Sequence, residues 1–218
     1  VVRPLLSKAK QIRESRGFTL VELIVVVIII AVLAVLALPT ITEQMRSRRT
    51  QNAAKEIANL YRVGRMRAMG RGAAVLVRYD NSVDPEGRVE IREAIRSGGP
   101  DVNCTGLPSP SCVLTNWVAG NAQNQLVGGF TAAQRAEYSG LRTDLTVNGA
   151  AATQLDVCFT PLGRGVFRTS QAGPFATLVS VPVIRVFRLN TAGTPYGLAR
   201  RVLIQPSGNT QVGEAEAL

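Results

Sequence analysis

The sequence predicts an α+β fold: a long N-terminal helix, half transmembrane and half amphipathic, packed on an antiparallel β-sheet head. Three observations predict it. Phe18 to Leu38 is a 21-residue apolar run broken by one charge, Glu22. From Ile41 to Ala68 apolar residues recur at three- and four-residue steps, the helical period. From Ala73 the period drops to two, and glycine- and proline-rich turns separate the segments.

The first element is a basic segment. Val1 to Gly17 carries Arg3, Lys8, Lys10, Arg13 and Arg16 against Glu14. It looks like the charged region of a secretory signal, with Val1 read as an alternative or trimmed start. An ordinary signal peptide, however, has an apolar run of about 7–15 residues and a small-residue end. Here the run is longer and the small residue, Gly17, stands before it. As a helix the run measures about 32 Å, the thickness of a bilayer's hydrocarbon core, so a retained membrane helix is expected. Pro39 closes the run and, lacking an amide hydrogen, is expected to kink or loosen the helix.

Glu22 has two readings. Thr19-Leu20-Val21-Glu22 fits the T-x-x-E capping box, which satisfies free backbone donors at a helix start. A carboxylate within a span also costs about 2.5–3.5 kcal/mol at the centre, less near an end, and usually has a partner. A cut after Gly17 supplies one, the new α-amino group of Phe18. A rigid helix cannot fold its own first residue back onto Glu22, whereas a neighbouring helix shifted along its axis can present its amine there. That reading predicts assembly.

Gly17, Phe18-Thr19-Leu20-Val21-Glu22 and the apolar helix behind a basic leader resemble the class III signal of type IV prepilins and type II secretion pseudopilins. The resemblance covers about the first 25 residues. It implies cleavage after Gly17 and N-methylation of Phe18 by a prepilin peptidase. It further implies that Glu22 pairs with the terminal amine of an adjacent subunit in a filament. The expected organisation is a cleaved leader (1–17), a transmembrane and filament-core helix (18–39), an amphipathic continuation (40–72) and a β-rich periplasmic head (73–218).

In the continuation, Ile41, Met45, Ala53, Ile57, Leu60, Gly64 and Ala68 form the apolar stripe. Arg46, Arg48, Lys55, Arg62, Arg65 and Arg67 take other positions, read as a solvated face or a contact with acidic neighbours. A basic membrane-surface helix is the rival reading for 40–70. The net charge of +10 is uneven: residues 73–218 hold twelve basic and eleven acidic residues. The head is nearly neutral, so bulk charge makes no case for nucleic-acid binding. Arg46, Arg48, Arg49 and Lys55 beyond the span also leave the positive-inside rule nearly balanced.

Strands are expected at Ala74–Tyr79, Arg88–Ile95, Cys112–Val118, Gln125–Phe130, Leu141–Val147, Leu155–Phe159, Gly165–Thr169, Leu178–Leu189 and Ala199–Gln205. Pro182 signals an edge or break, and a short helix is expected between Ala132 and Tyr138. Of three cysteines, Cys104 and Cys112 flank a Gly/Pro/Ser-rich loop. Their disulfide is favoured over the other two pairings and implies an oxidising periplasm. It would stabilise by somewhat under about 3 kcal/mol. Cys158 reads as a small buried hydrophobe. With no histidine and no C-x-x-C pair, neither a zinc site nor a His-activated nucleophile is expected. Asp80, Asp84, Glu86, Glu90 and Glu93 read as acids of a turn and a wet strand face rather than a glycosidase pair. No cofactor, metal or enzymatic activity is expected.

The head resembles the GspH/FimT group of minor pilins and pseudopilins. The likeness rests on Trp117-Val118-Ala119-Gly120, Phe159-Thr160-Pro161-Leu162-Gly163 and Val202-Leu203-Ile204-Gln205-Pro206-Ser207-Gly208. Some members look to bind DNA through Gly-Arg-x-Arg; here Gly208-Asn209-Thr210-Gln211 lacks both arginines. The resemblance implies a minor pilin that primes filament assembly near the tip. A type II secretion pseudopilin and a DNA- or surface-binding subunit are the alternatives. It also implies an inner-membrane location with a periplasmic head. The implied partners are other pilin subunits, prepilin peptidase, the assembly platform and membrane lipid, with nucleic acid a remaining alternative.

Overall fold

The computed structural model describes residues 18–96, 107–132 and 138–217. The chain divides into two units at Gln44, and helix α1 (Leu20–Arg71) runs from the first into the second. Gly17, Cys104, the Gly98–Asp101 turn and the short helix expected between Ala132 and Tyr138 lie outside the described residues.

In the first unit Thr19 starts the helix. Its hydroxyl accepts from the Glu22 amide at 3.2 Å and its carbonyl from Leu23 at 3.2 Å. This is the threonine half of a capping box. The helix continues through Pro39 without a break, and the Thr40 hydroxyl donates to the Ala37 carbonyl at 3.1 Å. The large apolar side chains from Phe18 to Leu38 are 44–78% exposed. This stretch is long and apolar enough to cross a membrane.

In the second unit α1 ends at Arg71, and Gly72 follows at φ 66°, the left-handed stop that a glycine supplies. Twelve strands are described: β1 (Val75–Asp80), β2 (Arg88–Arg96), β3 (Leu107–Pro108), β4 (Asn124–Thr131), β5 (Leu141–Val147), β6 (Ala150–Ala152), β7 (Gln154–Phe159), β8 (Gly165–Arg168), β9 (Ala176–Thr177), β10 (Val183–Leu189), β11 (Pro195–Ile204) and β12 (Thr210–Ala217). They form two sheets, in the order β3-β2-β1-β7-β8-β9, with β4 also on β2, and β12-β11-β10-β5-β6. Every pairing described is antiparallel.

The helix stripe meets both sheets in one core. Ala53, Ala54, Ile57, Ala58, Tyr61 and Ala68 are buried against Val75, Val77 and Tyr79 of β1 and Leu155, Val157 and Phe159 of β7. Ile184, Val186, Val202 and Ile204 of the second sheet belong to the same core. Each large side chain so buried contributes about 1.5–3 kcal/mol. Of the expected stripe, Ile41 and Met45 are exposed and burial begins further along the helix. Gly64 marks the tightest approach: a Cβ there would lie 2.4 Å from Val77 Cγ2.

Most expected strands form within one or two residues of their expected ends, and Pro182 separates β9 from β10. The strand expected over Leu178–Leu189 begins only at Val183, the one expected from Ala199 begins already at Pro195, and the short strands β3, β6 and β9 were not expected. Two departures are larger. Cys112–Val118 is a turn segment, because polar side chains capture its backbone: the Leu114 amide donates to Ser111 Oγ at 3.1 Å, and Asn116 Oδ1 accepts from Val118 at 3.0 Å. Such local bonds compete with a ladder. Strand β12, Thr-Gln-Val-Gly-Glu-Ala-Glu-Ala, was not expected, since Gly, Glu and Ala are poor strand formers. It forms by pairing along β11.

Candidate functional site

The candidate site begins at the helix start. Phe18 is exposed and Glu22 lies in the first turn, also exposed. Among the described residues the Glu22 carboxylate makes no hydrogen bond or ion pair. Its amide is capped by Thr19, so the capping reading accounts for the backbone there and does not involve the carboxylate. Chemically, an exposed carboxylate can accept a cation.

The head is attached to the second half of the helix by arginines. Arg65 donates to the Gly163 carbonyl at 3.1 Å and to Asn209 Oδ1 at 2.6 Å. It thereby joins the 159–163 turn to the 205–209 turn. Arg62 reaches the Thr210 carbonyl at 2.8 Å. Arg67 and Arg71 bracket Glu93, at 2.6 and 3.0 Å. Gly163 (φ 74°) and Gly208 (φ 80°) lie against this helix face; a Cβ on Gly163 would be 2.8 Å from Met69 Sδ. Of the basic face, Arg46, Arg48 and Lys55 are exposed, as the solvated reading expects. Arg67 meets the acid Glu93, as the alternative of acidic neighbours expects, and Arg62 and Arg65 reach backbone and amide oxygens of the head. Asn209 and Thr210, standing where the DNA-binding pattern has an arginine and its neighbour, are both occupied in this contact.

The acids of β2 are not surface acids. Glu93 is fully buried on the helix side, and Glu90 is buried on the opposite face. Strand alternation therefore separates them. Glu90 pairs with Arg92 at 2.8 Å and with Arg88. Asp156, also fully buried, takes Arg78 in a two-pronged contact at 2.7 and 2.8 Å and Arg168 at 2.9 Å. Desolvation opposes the Arg78 charge, but the Asp156 carboxylate outweighs it and holds the guanidinium pKa above its ordinary value. Sequence alone gives one hint of these pairs, the alternation of acid and base in Arg88-Val89-Glu90-Ile91-Arg92.

The disulfide is Cys112–Cys158, with Cα atoms 5.9 Å apart, and the expected Cys104–Cys112 bond is corrected accordingly. The β1–β7 register sets Cys158 beside Leu76, on the face away from the helix. There Leu76, Ala74, Ala94, Trp117 and both cysteines form a second core. Backbone bonds from Ala74 to Ser109 at 2.7 Å and from Ser109 to Ala94 at 3.0 Å lay the cysteine loop over that face. Cys158 is thus buried as expected, but as half of a crosslink.

A family model described as the prokaryotic N-terminal methylation motif matches residues 12–38. Gly17, Phe18 and Glu22 lie inside the matched span. No curated protein sequence matches the chain. Among solved structures, the type IV minor pilin FimU of Pseudomonas aeruginosa is similar, at 14% identity and a TM-score of 0.45. That similarity covers 78% of this chain and 94% of that one.

Proposed function

We propose that this chain is a minor pilin: a subunit cleaved after Gly17, N-methylated on Phe18, held in the inner membrane by the 18–39 helix with its head in the periplasm. From there the assembly platform extracts it into a type IV pilus, where it helps prime assembly near the tip. One observation carries the reading. Behind a methylation motif, an apolar helix holds one carboxylate, Glu22, with its side chain exposed and no partner among the described residues. A terminal amine, charged below its reference pKa of about 8, from an axially shifted sister helix would complement that carboxylate. At 4 Å and an effective dielectric of 20 the attraction is about 4 kcal/mol, enough to offset the insertion cost of the acid.

N-terminal sequencing and mass spectrometry of the mature protein should find N-methylphenylalanine at Phe18. Glu22→Ala should still be processed and inserted, yet should fail to crosslink with pilin subunits in the membrane or enter filaments. Normal incorporation of Glu22→Ala, or a mature chain that keeps residues 1–17, overturns the proposal.

A further inference from the structure

The face of the first sheet that points away from the helix carries a cluster of charges. The register places Arg78 beside Glu90 on one side and Asp156 on the other, with Arg168 beside Asp156. The carboxylate oxygens of the two central acids are all engaged. Asp156 Oδ1 accepts from Arg78 Nε and Gln154, and Oδ2 from Arg78 Nη2 and Arg168. Glu90 Oε1 accepts from Arg88, and Oε2 from Nε and Nη2 of Arg92. Arg92 spends its remaining nitrogen on Asn124 at 3.0 Å.

The guanidinium donors are in surplus. Among the described residues, Nη1 of Arg78 and Nε and Nη1 of Arg88 make no hydrogen bond. Both side chains line a cavity of about 160 Å³. Three arginines and two acids, Asp80 and Glu90, border it. Asp80 turns one oxygen to the amide and hydroxyl of Ser82, at 2.8 and 2.6 Å. The cavity is therefore lined by net positive charge with free donors. It is smaller than the roughly 300–1,000 Å³ of sites for drug-sized ligands, so it suits one small group. Planar guanidiniums are the side chains best matched to carboxylate and phosphate oxygens.

We propose that this cavity binds a single oxyanion, a carboxylate or phosphate group, between Arg78 and Arg88. The anion is either free in solution or carried on an acidic side chain of an extended segment. A second hollow of about 420 Å³ shares Arg88 and Glu90 with the cavity and runs along Gly128 and Gly129. Gly129 lies so close to β2 that a Cβ would meet the Val89 carbonyl at 2.8 Å. The two glycines leave their part of the hollow without side chains, beside Leu126 and Phe130. This proposal is independent of the pilus reading.

The test is calorimetric titration of the full chain in detergent at constant ionic strength. The probes are inorganic phosphate, acetate, and a hexapeptide carrying one glutamate, with its glutamine counterpart as control. Saturable binding of at least one acidic probe is expected. Arg88→Gln should weaken it by about tenfold or more, the scale of one charge-assisted hydrogen bond. That variant leaves Glu90 held by Arg92, so the fold persists, and circular dichroism verifies it. Arg142→Gln, on the second sheet, should bind like the parent. Tighter binding of the glutamate peptide than of acetate identifies a side chain as the source, and equal binding a free anion. Absence of saturation by phosphate, acetate and peptide alike, or undiminished binding by Arg88→Gln, overturns the proposal.

Discussion

Removing the Cys112–Cys158 crosslink, as the double variant Cys112→Ala/Cys158→Ala, tests the head's architecture most directly. The cysteines are 46 residues apart in sequence. The chain-entropy relation for a loop of that length gives a loss of about 4 kcal/mol. At roughly 2–4 °C per kcal/mol for a chain of this size, the midpoint should fall by about 8–16 °C. The protein contains one tryptophan, Trp117, buried in the same small core with its Nε1 donating to the Cys112 carbonyl at 2.8 Å. Tryptophan fluorescence therefore reports this region, and far-ultraviolet circular dichroism the whole chain, in melts of full-length protein in detergent. Cys104→Ala should melt like the parent. Non-reducing peptide mapping should recover Cys112 linked to Cys158. A Cys104–Cys112 peptide, with Cys104→Ala losing about the 2.5 kcal/mol expected of the short loop, would refute the reasoning.

Three further perturbations probe other parts of the structure. Gly64→Ala should destabilise by about 1–3 kcal/mol through overpacking against Val77, although alanine favours a helix interior by about 1 kcal/mol. Adding Val77→Ala should recover part of the loss in a chemical denaturation series. Asp156→Asn leaves Arg78 and Arg168 without their shared carboxylate and should cost about 3–5 kcal/mol, whereas Asp144→Asn, at an exposed pair with Arg185, should cost no more than about 1 kcal/mol. Burial raises the pKa of both Tyr61 and Tyr79 above the ordinary tyrosine value. In the unfolded chain these phenols ionise near pH 10, and in the folded chain they do not. Stability is therefore full below pH 10 and should fall above it by about 1.4 kcal/mol per pH unit for each tyrosine. Tyr61→Phe should make that alkaline decline shallower, and an unchanged slope in pH-dependent unfolding contradicts it.

The sequence by itself determined the long helix, its capped start at Thr19, its stop at Gly72 and most of the strands. These depend on neighbours one to four residues apart, and periodicity records such neighbours directly. It also supplied the N-terminal signal, since Gly17, Phe18 and Glu22 lie within one short segment. The partner of each charge and of each cysteine was decided only by the tertiary structure. Glu90 and Glu93 look alike on paper. Alternation along β2 sends one to the Arg78–Asp156 face and the other between Arg67 and Arg71 of the helix. Proximity in sequence favoured Cys104 for Cys112, yet the β1–β7 register and the Ser109 backbone bonds carried Cys112 to Cys158 instead. Strand β12 holds residues that would not choose an extended form unaided, and it exists because β11 offers a row of unpaired backbone groups. Pairings of this kind are set by which strands lie side by side, a long-range property that no local window of the sequence contains.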